Sequence, residues 1–134
     1  MTRLAPRLAR LAAVLLCALA LPAPAQEIHP ERSFVLRCHF TRSCIAGGCG
    51  EEDYDTLLEV EGAGAIFRDA QVELALTGGF DPSTGQLSFA SEPFDEAAYF
   101  FSDFGDAGAI LSIHTQAEGQ AIGITFDGKC FEEE

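Results

Sequence analysis

AQVELALTGGFDPSTGQLSFAS, residues 70–91, reads as strand, turn, strand. Ala70, Val72, Leu74 and Leu76 point one way and Gln71, Glu73 and Thr77 the other, the two-residue period of a half-buried strand. Gly78-Gly79 is expected to end it. Asp81-Pro82-Ser83-Thr84-Gly85 carries turn chemistry, since proline presets φ and glycine tolerates a positive one. Gln86 to Ser91 then supplies a second strand with Leu87 and Phe89 on one face, closed by Pro93.

The same pattern extends in both directions. Upstream, Ser33 to Phe40 sets Phe34, Leu36, Cys38 and Phe40 against Val35, Arg37 and His39. A glycine-rich loop is expected over Thr41 to Asp53, then a strand from Tyr54 to Glu61, broken by Gly62 and Gly64. Ala65 to Arg68 suits a short strand or a turn of helix. Downstream, Asp95 to Ser102 could open as a helical turn at Glu96-Ala97-Ala98, but Tyr99-Phe100-Phe101 has strand chemistry and a strand is preferred. Gly105 to Gly108 turns into a strand over Ala109 to Thr115, and Glu118-Gly119 turns into Gln120 to Phe126. That last strand either runs on to Phe131 or stops at a turn made by Asp127-Gly128. Seven or eight short strands with hairpin-length connections predict an all-β domain. It would be an antiparallel meander closed into a small barrel, with a β-sandwich as the alternative.

The N-terminus reads as a leader. Arg3, Arg7 and Arg10 precede an apolar run from Leu11 to Leu21, and Ala23-Pro24-Ala25 offers small residues for cleavage after Ala25. The run is short for a membrane span, which needs roughly 20 apolar residues. An uncleaved anchor and a lipid-modified Cys17 are the alternatives, the latter disfavoured by Leu16 before it. Residues 1–25 are thus a predicted signal peptide and residues 26–134 one domain, periplasmic or secreted, with no stable membrane insertion after cleavage.

Cleavage would remove Cys17 and leave Cys38, Cys44, Cys49 and Cys130, an even number suited to a disulfide framework outside the cytosol. Parity favours Cys38–Cys130 with Cys44–Cys49. Ile122, Ile124, Phe126 and Cys130 share a face if the last strand continues, and Cys38 lies on the apolar face of the first. Pairing of the first and last strands would then bring the two thiols together inside. Zinc ligation is the rival, but the cysteine spacings lack the close pairs such sites use.

With the leader gone, five basic residues face 21 acidic ones, a formal charge of −16. That balance disfavours nucleic acid and anionic lipid and favours a basic protein or a divalent cation. The sequence has no Gly-x-Ser-x-Gly elbow, phosphate loop or His-Glu-x-x-His pair, so no catalytic residue, cofactor or metal is assigned and a non-enzymatic domain is expected. His114 shares a face with Ile110 and Ser112. A metal held by His39 and His114 would need adjacent strands, and the run Glu51-Glu52-Asp53-Tyr54-Asp55 lacks EF-hand spacing.

Aromatic residues carry the strongest hint of function. Phe94, Tyr99, Phe100, Phe101 and Phe104 crowd among acidic residues, and three consecutive rings cannot all face one side of a strand. An exposed ring surrounded by carboxylates is the composition of a hot spot for a basic partner. A binding domain for a basic protein is therefore expected. A small apolar-ligand carrier and a cell-envelope structural or stress module are the alternatives. In outline the chain resembles exported bacterial β-barrel proteins such as the periplasmic inhibitors of animal-type lysozyme, through its leader, Cys38 and Cys130. The Ser-Ala-Ser-Gly-like loop of those inhibitors has no counterpart. Ser91-Glu92-Pro93-Phe94 occupies the nearest place and Trp is absent, so the resemblance assigns no residue a role.

Overall fold

A computed structural model describes residues 33–133; the expected leader, its cleavage after Ala25, and His29 lie outside the described residues. Eight strands follow in order: β1 (Ser33–Ile45), β2 (Gly48–Glu61), β3 (Gly64–Arg68), β4 (Glu73–Asp81), β5 (Gln86–Ser91), β6 (Ala98–Asp103), β7 (Ala109–Ala117) and β8 (Gln120–Glu132). Each pairs antiparallel with its sequence neighbours, and β8 returns to β1, so the sheet closes into a barrel rather than a sandwich. Closure removes the exposed edges that an open sheet of this length would present.

Alternation fills the interior. Leu36, Cys38 and Phe40 on β1, Leu58 and Val60 on β2, Phe67 on β3, Leu74 and Leu76 on β4, and Leu87 and Phe89 on β5 all point inward. Tyr99 and Phe101 on β6 and Leu111 on β7 complete the core. Each large side chain removed from water contributes about 1.5–3 kcal/mol, so this single core accounts for most of the favourable free energy of folding. Phe40, Tyr54 and Phe126 gather toward one mouth, with Tyr54 and Phe126 ring centroids 4.8 Å apart.

Two expectations are corrected and one open alternative is decided. Residues 41–53 are not a loop: β1 and β2 continue as a two-stranded arm, joined by a two-residue turn at Ala46 (φ 49°) and Gly47 (φ 82°). Most of the arm projects beyond the core, so it carries no apolar alternation to reveal it. Gly78-Gly79 does not end β4, which runs on to Asp81. A Cβ on Gly78 would lie 1.9 Å from the Ser88 carbonyl oxygen, so the glycine lets β4 and β5 cross closely. Of the two readings of the last strand, the continuation holds: β8 passes through Asp127-Gly128 to Glu132, and a Cβ on Gly128 would sit 2.2 Å from the His39 carbonyl oxygen. The β1 register shifts between Phe40 and Arg42 against both neighbours at this level.

Both disulfides join residues that face each other across paired strands. Cys38 and Cys130 are direct partners in the β1–β8 seam, Cα atoms 4.0 Å apart, and close a loop spanning 92 positions of sequence. Cys44 and Cys49 are partners in the β1–β2 arm, also at 4.0 Å. Chain entropy assigns about 4.6 kcal/mol to the first loop and about 2 kcal/mol to the second. Two such bonds suit an oxidising compartment. Among the described residues no helix is long and apolar enough to cross a membrane.

Candidate functional site

β6 divides the aromatic run by parity. Tyr99 (9% exposed) and Phe101 (1%) point into the core, whereas Phe100 (42%) stands outside. The inward pair is therefore removed from the expected contact surface; these rings serve packing, with Tyr99 against Phe67 at 5.7 Å. Phe94 (53%) and Phe104 (42%) are exposed but flank β6 at opposite ends, separated by a strand length of about 20 Å. The five rings do not form one cluster. Phe100 remains as the aromatic at the middle of an outer wall.

Strand register defines what surrounds it. Phe100 lies between Ala90 on β5 and Ser112 on β7. One row toward the β6–β7 turn, Ser88, Ser102 and Ile110 align, and the Ser88 and Ser102 hydroxyls are 3.0 Å apart. One row the other way, Ala98 pairs with His114 and His114 with Gly123. Small residues thus carpet the wall and leave Phe100 and the exposed Ile110 standing above it. The His114 imidazole packs on Phe100 with centroids 4.8 Å apart.

At the His114 end the wall meets a strained turn. Phe94 and Ala97 exchange two backbone hydrogen bonds around Asp95 (φ 48°) and Glu96 (φ 63°). Both central residues occupy the left-handed region without being glycine, which costs roughly 1–2 kcal/mol each. The Thr115 hydroxyl donates to the Glu96 carbonyl at 3.2 Å and holds the turn against β7. Between this turn and the β7–β8 hairpin runs an open groove of about 510 Å³, lined by Glu96, His114, Thr115, Gln116, Ala121, Ile122 and Gly123.

The electrostatics of the barrel are lopsided. Between Arg68 and Lys129 the sequence contains no Lys or Arg but ten Asp and Glu residues. Arg37 pairs with Glu133, and Arg68 pairs with Glu59 and Glu73, so these guanidinium contacts lie on β1 to β4 and the C-terminal segment. The wall of β5, β6 and β7 has acidic rims at both ends, Glu92, Asp95 and Glu96 at one and Asp81 and Asp106 at the other, without a basic residue of its own.

Two further carboxyls sit at the barrel mouths. Asp69, in the β3–β4 connection, accepts from the Tyr54 hydroxyl at 2.6 Å and from the Gln71 and Val72 N–H groups at 2.7 Å. Burial pushes its pKa up, but those three hydrogen bonds together hold it below the usual carboxylate range. Burial, followed by the hydrogen bond to Asp69, drives the Tyr54 phenol well above its ordinary value. Asp103 ends β6 inside the opposite mouth, where burial raises its pKa against the opposing hydrogen bonds from Gly105 and Phe104.

The condition for a metal shared by His39 and His114 is not met: β8 lies between β1 and β7, so the two histidines are not on adjacent strands. The cysteines are consumed by disulfides and do not form a zinc site. Sequence parity already placed His114 with Ile110 and Ser112, but the register that sets Phe100 against them was not legible, nor was the Glu96 carbonyl as acceptor for the Thr115 hydroxyl. The chain matches no family model, no curated protein and no solved structure.

Proposed function

We propose that this protein is an exported, non-catalytic binding domain whose outer β5–β6–β7 wall docks a basic protein. The reading is carried by one observation: Phe100 projects with Ile110 from a carpet of small residues on a wall that has acidic rims and no Lys or Arg. An apolar centre within a polar rim is the anatomy of a protein interface, and an aromatic anchor at its middle is where binding energy concentrates. The carboxylates steer a cationic partner toward the wall and set its orientation, while Phe100 and Ile110 supply the area taken out of water. His114 buttresses the Phe100 ring, and the groove beside Glu96 suits an arginine or lysine side chain at the margin.

The filled interior favours a surface reading over a carrier: Phe40, Phe67, Phe101, Leu58, Leu76 and Leu111 occupy the centre of the barrel. Calorimetric titration against a panel of basic globular proteins, at about 0.05 M and about 0.5 M salt, tests the proposal. The expected result is binding that weakens as salt rises and is lost by about thirtyfold in Phe100→Ala, the scale of a hot-spot truncation. Absence of binding across the panel, or equal binding by Phe100→Ala, overturns it.

A further inference from the structure

On the opposite side of the barrel, away from the proposed docking wall, three metal-ligating side chains from two paired strands converge. His39 on β1 is the direct register partner of Asp55 on β2, with Nδ1 and Oδ1 2.8 Å apart. Asp53 joins from the same strand, its Oδ1 3.8 Å from His39 Nδ1. One ligand atom from each residue lies within 4.8 Å of the other two, and all three residues are exposed. We infer that His39, Asp53 and Asp55 form a binding site for a divalent transition metal of the zinc class.

Spacing supports the inference. Zinc bound at about 2.0–2.1 Å in tetrahedral geometry holds its ligand atoms roughly 3.3–3.5 Å apart. The two measured separations from His39 Nδ1 bracket that value, so small rotations of exposed side chains complete a three-ligand site with one position open to water. Donor chemistry selects the metal. One imidazole nitrogen with two carboxylate oxygens suits zinc and its neighbours, whereas calcium takes six to eight oxygen ligands.

The scaffold adds preorganisation. Cys38, adjacent to His39, is bonded to Cys130 of β8, and Cys44–Cys49 ties β1 to β2 further along the arm. The β1 segment that carries His39 is thus tied to β8 on one side and to β2 on the other, which keeps the entropy of assembling the site low. Lys129 faces His39 from β8 and opposes a cation; the charges of Asp53 and Asp55 outnumber it, and Glu51 and Glu52 precede them in the sequence. The acidic excess of the whole chain also raises the local concentration of cations.

The test is calorimetric titration of the purified protein, both disulfides formed, with zinc chloride, alongside His39→Ala, Asp55→Asn and His114→Ala. The expected result is one zinc per chain. Affinity should fall more than about tenfold in His39→Ala and in Asp55→Asn, since loss of even a residue behind a metal ligand costs 10–100-fold, and remain unchanged in His114→Ala. Zinc should also raise the melting temperature of the native protein and not that of His39→Ala. No zinc uptake by the native protein, or uptake that His39→Ala leaves intact, overturns the inference. So does calcium binding at the same site with equal affinity.

Discussion

Tyr54 donates its hydroxyl proton to Asp69 across 2.6 Å, tying the inner face of β2 to the connection between β3 and β4. The same carboxylate accepts two backbone N–H groups of that connection, so one side chain organises the loop and anchors it to the barrel mouth. A hydrogen bond to a charged acceptor contributes about 1.5–3 kcal/mol, and Tyr54→Phe is expected to cost that amount at about pH 7. Because Asp69 has a folded-state pKa below its ordinary value, its contribution is present above the unfolded pKa and is lost as pH falls through the folded one. The gap between native protein and Tyr54→Phe should therefore narrow below about pH 4 in denaturant titrations.

Asp103 behaves in the opposite sense. Its folded-state pKa is raised, so the folded protein holds the proton more tightly than the unfolded chain, and stability declines as pH rises from about 4 through the folded value. Asp103→Asn keeps an acceptor for the Gly105 N–H, which now donates to Asp103 Oδ1 at 3.2 Å, and removes the buried charge. The variant should be more stable than the native protein at neutral pH and lose that advantage on acidification. Equilibrium unfolding at several pH values checks it; lower stability at neutral pH would contradict it.

Two glycines have backbone, not side chains, in the way of a Cβ. Gly78→Ala and Gly128→Ala would force contacts of 1.9 Å with the Ser88 carbonyl oxygen and 2.2 Å with that of His39. Each should destabilise by more than about 3 kcal/mol or abolish folding, the range of severe core overpacking. A Cβ on Gly79 or Gly123 meets nothing within 4 Å. Alanine at either should change stability by less than about 1 kcal/mol, giving an internal control in the same thermal melts.

The seam and the arm should differ under reduction. Replacing Cys38 and Cys130 together by alanine is expected to cost about 4–5 kcal/mol, and replacing Cys44 and Cys49 about 2 kcal/mol or less. Reversal of that order in urea titrations would show that the β1–β8 seam is not the long-range constraint on the barrel.

These particulars show why some of the structure was legible in the sequence. Leu36, Cys38 and Phe40, like Leu74 and Leu76, alternate because one face of their strands is buried, and that alternation is what a sequence displays. The arm from Thr41 to Asp53 has little buried face, so its pairing left no trace except the two cysteines. Gly78 read as a break, and Gly128 left a turn open as an alternative, because glycine marks both turns and close strand crossings. For Tyr99, Phe100 and Phe101, parity required at least one ring outside but could not say which, as the register of β6 against β5 and β7 decides it. The His39–Asp55 pair was hidden for a related reason, since it depends on where the β1–β2 turn falls and on the register shift beyond Phe40.

The proposed docking wall is tested most directly by amide chemical-shift mapping during titration with an arginine-rich peptide at low salt. The expected result is that the largest shifts fall on Phe100, Ile110, Ser112 and His114 and on the Asp95–Glu96 turn, and that they vanish at high salt and in Phe100→Ala. Shifts confined to the β1–β2 arm, spread evenly over every acidic residue, or unchanged by Phe100→Ala would contradict it.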